Sequence, residues 1–379
     1  MNKKGSPEGN WKEIPPLIEY IKEGERYSIL TDVSEVEKPD DLTSDENTSV
    51  KEGDGIDRFK SLSHNEQKAI LFAAIKENSS KWMKIYENVQ SILVGQKKIE
   101  GKPQNYYAVV FNVNLKGDSD VVHSQIPDYL VYTYQNKEYN LPTDINQVGN
   151  VSLTLAGNKV PVVLNNNFCP GCSIGVADPD STGTLGLFVK KEDEAYKDKT
   201  FLLSCYHVLC PSEFATKVGS YKANVANGRA VLAPGKVDGN SQPIATLIEG
   251  AFSNKIDAAI ALVNEGVLID TKPWRLNPVN PSVRSQYSLE HGHRVRFTGR
   301  SSGQMDGTIE SYWGSVNLKS ENCSFEEIII TSKISTKGDS GGCVYDENDR
   351  PIGILFADDE SYSYLIPIQT IFDTLKIKL

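Results

Sequence analysis

The stretch Thr336-Lys-Gly-Asp-Ser-Gly-Gly-Cys-Val-Tyr345 decides how this sequence is interpreted. A serine hydroxyl is a weak nucleophile at neutral pH, so it needs a neighbouring base and donors for the oxyanion formed on attack at a carbonyl. Glycines let the backbone turn tightly and bring amides close to that oxyanion. We therefore predict Ser340 as a nucleophile and the amides of Gly338 and Ser340 as the oxyanion hole. A plain β-turn would suit the same residues.

Two upstream segments supply candidates for the base and its partner. His207 ends the apolar run Phe201-Leu-Leu-Ser-Cys-Tyr-His207, and Asp257 directly precedes the apolar residues 258–263. A buried carboxylate needs a partner, because an unpaired charge in low dielectric is costly. An imidazole N–H would satisfy Asp257 and leave the other ring nitrogen free to accept a proton from Ser340. The alternative is a histidine with a purely structural role.

In chain order these three residues lie 50 and 83 positions apart, and the sequence resembles the chymotrypsin/trypsin-like serine peptidases. The resemblance is carried by Leu-Ser-Cys-Tyr-His207, Ile-Asp257-Ala-Ala-Ile-Ala-Leu and Gly-Asp-Ser340-Gly-Gly. It implies a mainly β fold of two six-stranded antiparallel barrels over residues 168–379, at about 168–270 and 285–379. It also implies hydrolysis of protein or peptide substrates through an acyl-enzyme, with no metal and no organic cofactor.

Further segments are similar to the intracellular bacterial and plant trypsin-like peptidases of the narrow-leaf type. They are Ser173-Ile-Gly, Gly183-Thr-Leu-Gly, Ala233-Pro-Gly-Lys-Val-Asp-Gly and Thr298-Gly-Arg-Ser-Ser-Gly. Ile126-Pro and Leu141-Pro-Thr-Asp extend this likeness upstream to about residue 105. Cys343 departs from it, because the family commonly has proline there.

The specificity pocket is predicted from the same resemblance. Ile334 stands six residues before the nucleophile, where trypsin-like enzymes carry the carboxylate that binds Lys or Arg, and Phe356, Ala357 and Asp358 should form the opposite wall. The acids at 358–360 suit either a solvated hairpin or a rim that attracts substrate. Substrate preference is therefore left open.

Activation by a new N-terminus is a further alternative. In secreted relatives a freed Ile pairs with the carboxylate just before the nucleophile, and Ile174 and Asp339 occupy the corresponding positions. No basic cleavage signal precedes Ile174, so we expect folding to an active form without that cleavage.

Composition narrows the function classes. The 379 residues carry 40 Lys and Arg against 50 Asp and Glu, a net charge of −10. Nucleic acid is excluded as an expected partner, because phosphate binding needs a basic face. No apolar run reaches about 18 residues and the N-terminus has no signal-like apolar stretch, so we expect no membrane contact and a cytoplasmic location.

Six cysteines are expected to remain thiols in that compartment. Cys169-Pro-Gly-Cys172 is the one pair at redox or metal spacing, and His291 with His293 could complete a zinc site. A turn lined by small buried thiols is the favoured alternative.

Upstream of residue 168 the predicted organisation has three parts. Residues 1–60 form an acidic, partly disordered segment, residues 61–100 a helical hairpin and residues 101–167 a β-rich lead-in. The hairpin rests on the capping box Ser63-His-Asn-Glu66, a restart at Ser79-Ser80 and a stop at Gly95. Residues 1–100 could recruit a protein partner. The rival to an enzyme is a non-catalytic binding or adaptor module that retains the peptidase fold.

Overall fold

Short strands bounded by turn residues dominate the structure, as the sequence predicts. The computed structural model describes residues 54–86, 88–114, 126–154, 167–178, 181–224 and 226–379. The predicted acidic segment lies outside these residues except for its last seven, which form a helix. No helix in the described part of the chain is long and apolar enough to cross a bilayer.

The regular elements of the described residues follow in chain order. The helices are α1 (Asp54–Lys60), α2 (His64–Ile85), α3 (Tyr206–Leu209), α4 (Pro211–Ala215) and α5 (Ile368–Leu375), with 3₁₀ turns at Glu194–Tyr196, Lys236–Asp238 and Gln286–Ser288. The first strands are β1 (Val89–Ile99), β2 (Lys102–Val113), β3 (Tyr129–Tyr134), β4 (Lys137–Gln147), β5 (Ser152–Leu153), β6 (Ser173–Ile174), β7 (Gly183–Thr184), β8 (Leu187–Lys191), β9 (Phe201–Ser204) and β10 (Ser220–Lys222). The later strands are β11 (Ala230–Ala233), β12 (Gln242–Ser253), β13 (Ile256–Val263), β14 (Arg294–Gly299), β15 (Gly303–Leu318), β16 (Cys323–Ser332), β17 (Cys343–Asp346), β18 (Pro351–Asp358), β19 (Tyr362–Pro367) and β20 (Ile377–Lys378).

Two large sheets organise the chain. In the first, β14, β17, β18, β19, β16 and β15 are successive neighbours, and pairing of β14 with β15 closes them into a six-stranded barrel. In the second, β10, β12, β13, β9, β8 and β20 are neighbours and β11 pairs with β12. The mainly β fold is confirmed, with a closed six-stranded ring in the first sheet and a second sheet of the half-barrel type, whose end strand β20 pairs with β8.

The lead-in strands belong to the barrel sheet. β1 pairs with β15 of the barrel through Ser91 opposite Val316, and β2, β4 and β3 continue the same sheet outward from β1. The pairing of β2 with β4 is parallel. A domain boundary is predicted near residue 168, but strands from both sides of it are hydrogen-bonded in the same sheet.

The predicted helical hairpin needs correction. The capping box is present, with the Ser63 amide donating to the Glu66 carboxylate at 2.9 Å, but α2 runs unbroken through Ser79 and Ser80 to Ile85. The predicted second helix is split between the end of α2 and the strand β1, which contains Gly95. The spacing of Val89, Ile92 and Leu93 is compatible with either a helix or a strand. The segment forms a strand because it pairs with β2 on one side and with β15 on the other.

Helix α2 packs its apolar side against the strands of the lead-in. Phe111 of β2 is fully buried, with its ring centroid 5.9 Å from that of Trp82 and 5.6 Å from that of Tyr86. Leu71 and Ile75 are fully buried in the same cluster. A helix of this kind is held mainly by such packing rather than by its own propensity.

Replacing Phe111 by Ala should therefore lower the free energy of unfolding by about 3–5 kcal/mol, through lost burial and the cavity left behind. Urea denaturation followed by circular dichroism measures the change. Val131→Ala is the matched control on β3, because that side chain is 62% exposed and its removal should change stability by under about 0.5 kcal/mol. Equal losses from the two variants would show that this cluster does not stabilise the fold.

Candidate active site

His207 and Asp257 form a buried pair. β9 ends at Ser204 and α3 begins at Tyr206, so His207 lies in the first turn of a short helix, while Asp257 is the second residue of β13. One oxygen of Asp257 accepts the His207 backbone N–H at 3.0 Å, and the other lies 2.5 Å from Nδ1 of the ring. Because a carboxylate accepts only, Nδ1 carries the proton and Nε2 is the basic nitrogen.

The nucleophile loop joins β16 to β17 and needs glycine at two positions. Gly338 has φ +103° and Gly341 has φ +94°, in the region that disfavours other residues. A Cβ at Gly338 would also overlap Ser301 Oγ and Arg300 Nη1. Both the backbone conformation and the lack of space therefore require glycine before the predicted nucleophile.

Thr184 of β7 holds this loop from behind. Its amide donates to the carbonyl of Ser340 at 2.8 Å, and its hydroxyl donates to the carbonyl of Gly338 at 3.0 Å. The hydroxyl in turn accepts the Arg300 amide at 3.0 Å. Thr184 therefore fixes two carbonyls of this loop, on either side of Asp339.

Those two amides converge on a single carbonyl oxygen, that of Thr154. The Gly338 amide donates to it at 2.5 Å and the Ser340 amide at 3.2 Å. Convergent backbone donors on one carbonyl oxygen are the geometry required of an oxyanion hole. Sequence reasoning missed Thr154, because residues 151–154 carry no motif and lie more than 180 positions before the loop that they contact.

The Ser340 hydroxyl is bonded away from the imidazole. It donates to the Phe356 carbonyl at 3.0 Å, and its oxygen lies 2.7 Å from Thr154 Oγ1, which therefore acts as the donor. Nε2 of His207 is buried and has no hydrogen-bond partner among the described residues. The structure thus brings His207 and Asp257 together, whereas the Ser340 hydroxyl bonds to Phe356 and Thr154 and makes no hydrogen bond to Nε2.

The loops that carry the base and the nucleophile nevertheless touch. A Cβ on Gly341 would lie 3.2 Å from the backbone nitrogen of Cys205, two residues before His207. A Cβ on Gly183 would lie 2.6 Å from the Ser340 carbonyl oxygen and 2.7 Å from Val208 Cγ2. The segments that carry His207 and Ser340 are therefore in close backbone contact.

Asp339 is fully buried and its carboxylate is already satisfied. It accepts the amides of Thr336 and Ser301 at 2.8 Å and both the amide and the hydroxyl of Ser302. Burial raises the pKa of its carboxyl, and these hydrogen bonds oppose the rise. Ile174 lies in β6, paired with Gly183, so the partners of Asp339 are loop residues and not a freed N-terminus.

The predicted specificity residues lie on two adjoining segments. Ile334, Phe356 and Ala357 are fully buried, and Asp358 is 6% exposed. The Asp358 carboxylate lies 2.6 Å from Lys333 Nζ and accepts the Ser335 hydroxyl at 2.9 Å. Burial raises the pKa of Asp358, while the bond to Lys333 and its charge oppose the rise. The interpretation of 358–360 as a solvated hairpin is thus wrong for Asp358, whose charge is balanced by Lys333.

The cysteine pair is a buried turn. Sγ of Cys169 lies 3.6 Å from Sγ of Cys172, and His291 and His293 bond to Glu310 and Arg284 instead. All six cysteines are free thiols. Among the described residues, the group with metal-ligand spacing is Cys205, His207 and Asp257. There Nδ1 is engaged by the carboxylate and the thiol donates to the Leu355 carbonyl at 3.2 Å.

Among known proteins, this chain is similar only to solved structures, by its fold. No family model and no curated protein matches the sequence. The solved structures that match include Cellulomonas bogoriensis chymotrypsin, at 14% identity and TM-score 0.39 over 56% of this chain and 98% of that one. Thermobifida fusca Protease A matches at 15% identity and TM-score 0.38, over 56% and 97%. Deg5 matches at 20% identity and TM-score 0.33, over 53% and 84%.

Gly338→Ala should destabilise the protein more than Gly292→Ala does. Both glycines have a positive φ, but only at Gly338 would the added methyl group meet neighbouring atoms. Gly292 has φ +86° and no atom within 4 Å of the position that an added methyl group would take, so Gly292→Ala isolates the conformational cost, about 1–2 kcal/mol. Gly338→Ala adds overpacking against Ser301 and Arg300 and should lose a further 1–3 kcal/mol or so. Urea unfolding compares them, and equal losses would contradict the crowding.

Lys333→Gln should raise the pKa of Asp358 further and lower stability by roughly 1–3 kcal/mol near pH 7, where the carboxylate is charged. The difference from the unmodified protein should shrink as pH falls through the pKa of Asp358, because a protonated carboxyl does not need the ammonium. Urea unfolding at several pH values measures this.

Lys76→Gln is the control for that experiment. Lys76 Nζ lies 3.9 Å from Glu327 and its side chain is 54% exposed, so the loss should stay under about 0.5 kcal/mol. A loss at Lys333 that does not depend on pH would contradict the pairing with Asp358.

Proposed function

We propose that this protein is a serine endopeptidase that hydrolyses peptide bonds through an acyl-enzyme. Ser340 is the nucleophile, His207 the general base and acid, and Asp257 the residue that orients the imidazole and stabilises its protonated form. The amides of Gly338 and Ser340 form the oxyanion hole. No cofactor is needed for this chemistry.

One observation carries the proposal: two backbone amides converge on a peptide carbonyl oxygen, at 2.5 and 3.2 Å, beside the nucleophile candidate. Donors arranged in this way stabilise the charge that develops when a carbonyl is attacked. The buried pair of His207 and Asp257 supports it independently. Its unpartnered Nε2 is in the tautomer that can accept the proton of a hydroxyl.

The reaction follows from these groups. Ser340 rotates from the Phe356 carbonyl towards Nε2 and attacks the substrate carbonyl carbon as its proton passes to His207. Asp257 stabilises the imidazolium, and the two amides bind the oxyanion. His207 then protonates the leaving amine, and a water molecule, deprotonated by the same imidazole, hydrolyses the ester.

The substrate would bind along β18. We propose that Ile334, Phe356, Ala357 and Asp358 line the specificity pocket. Since Lys333 already balances the charge of Asp358, the pocket has no excess negative charge from that carboxylate for a basic substrate side chain. This argues against a preference for Lys or Arg.

We further propose a cytoplasmic site of action and a protein partner for residues 1–100. The partner proposal is supported by residues 1–60, which contribute 15 acidic against 9 basic residues.

Ser340→Ala should lower kcat/KM for hydrolysis of an unfolded protein substrate such as casein by about 10⁴- to 10⁶-fold, because it removes the nucleophile. Asp257→Asn should cost about 10⁴-fold through the wrong imidazole tautomer. Ser285→Ala, at an exposed serine, is the control and should retain full activity. Circular dichroism verifies that each variant is folded.

Labelling by a fluorophosphonate distinguishes the enzyme from the rival adaptor module. An active serine should be labelled at Ser340, as located by peptide mass spectrometry, and the label should be absent from Ser340→Ala. Neither labelling nor hydrolysis in the folded protein would overturn the peptidase proposal and favour a non-catalytic binding role.

A further inference from the structure

Residues 151–154, which we call the groove segment, lie on β18 as an added antiparallel strand. Leu153 is opposite Ala357 and Ser152 is opposite Asp358. The Thr154 amide donates to the Phe356 carbonyl at 3.4 Å. Addition of an extended peptide to a sheet strand, with main-chain hydrogen bonds on one side, is a standard way for proteins to bind a peptide.

The oxygen in the oxyanion hole belongs to a particular bond of this chain. The carbonyl of Thr154 is the acyl half of the peptide bond between Thr154 and Leu155. Its oxygen accepts both the Gly338 amide and the Ser340 amide. An attack by Ser340 at this position would therefore act on that bond and on no other bond of the segment.

The groove segment is enclosed by the protein. Val151 is 3% exposed, Leu153 is 7% exposed and Thr154 is fully buried. Its main chain and three of its side chains are thus held at the site where a separate peptide would bind along β18. The segment has the orientation, register and burial of a bound substrate.

We propose that the groove segment is an intramolecular substrate, and that the enzyme hydrolyses the peptide bond between Thr154 and Leu155 of its own chain. This rests on the proposed peptidase function and deepens it. If this segment represents the preferred substrate, the residue directly before the cleaved bond is of threonine size and the residue before that one is leucine.

The chemistry balances with water as the only co-reactant. Ser340 Oγ forms an ester with the Thr154 carbonyl carbon, the bond from that carbon to the Leu155 nitrogen breaks, and the serine proton passes through His207 to the released amine. Water then cleaves the ester. The products are a carboxylate on Thr154, a free amino group on Leu155 and a regenerated Ser340.

The hydroxyl of Thr154 restrains this reaction in the conformation observed. Thr154 Oγ1 donates to Ser340 Oγ at 2.7 Å and so helps hold the serine against the Phe356 carbonyl, away from His207. Valine has the same shape without that donor. Thr154→Val should therefore speed self-cleavage, whereas Thr154→Asp places a charge in a fully buried position and should slow it.

The two fragments should remain associated after cleavage. Residues 1–154 include β1 and β2, and β1 is paired with β15 of the barrel. Cleavage after Thr154 leaves that ladder and the packing of α2 intact.

The full chain, purified and incubated at neutral pH, tests the proposal by intact-mass spectrometry. The expected fragments are residues 1–154 and 155–379, absent from Ser340→Ala and co-eluting in size-exclusion chromatography. The rate should not change across an about 100-fold range of protein concentration, because the step is intramolecular. Thr154→Val should cleave faster than the unmodified chain and Thr154→Asp at least about 10-fold slower.

Two further substrates, a synthetic peptide of residues 148–158 and casein, are incubated with the enzyme. Their cleavage distinguishes a failure of the self-cleavage proposal from a failure of the proposed peptidase function. Cleavage of the peptide between its Thr and Leu supports the inference. Hydrolysis of casein together with a chain that stays intact after Thr154 would overturn the self-cleavage and leave the peptidase standing. A chain that cleaves neither casein nor itself, and takes up no fluorophosphonate, would overturn both.

Discussion

The burial of one carboxylate constrains the whole site. Asp257 lies in β13 with no exposure to solvent, so each of its oxygens needs a donor, and His207 supplies both through its amide and Nδ1. An unpaired charge at that depth would be strongly destabilising. The same two contacts fix the position of the short helix α3 and the tautomer of the ring. The free nitrogen of His207 is therefore set by the requirements of a buried aspartate.

A second constraint acts on the nucleophile loop, whose backbone amides also need partners. Thr184 occupies the carbonyls of Gly338 and Ser340, and the amides of the same two residues both donate to the Thr154 carbonyl. Buried amides without acceptors are costly, and the Thr154 carbonyl satisfies both. The arrangement that would bind an oxyanion in a reaction is thus kept intact by the chain itself. This links the proposed peptidase activity to the proposed self-cleavage through one pair of hydrogen bonds.

The sheet extension places the groove segment against β18. β1 joins the barrel at β15, β2 and β4 follow in the same sheet, and the chain leaves β4 at Gln147 to reach β18 by Ser152. Only four residues, 148–151, separate these strands. The predicted lead-in is therefore the structural support from which residues 151–154 reach β18.

Local sequence determined a great deal here: the mainly β character of residues 168–379, the capping box at Ser63 and the candidate roles of His207, Asp257 and Ser340. These depend on turn chemistry, hydrophobic period and motifs, which are properties of neighbours in the chain. Tertiary structure decided that the apolar residues of β1 form a strand, since helix and strand patterns overlap there and pairing with β2 and β15 favours the strand. It also decided the rotamer of Ser340 and the position of the Thr154 carbonyl at the amides of Gly338 and Ser340, because both involve contacts between residues about 186 positions apart.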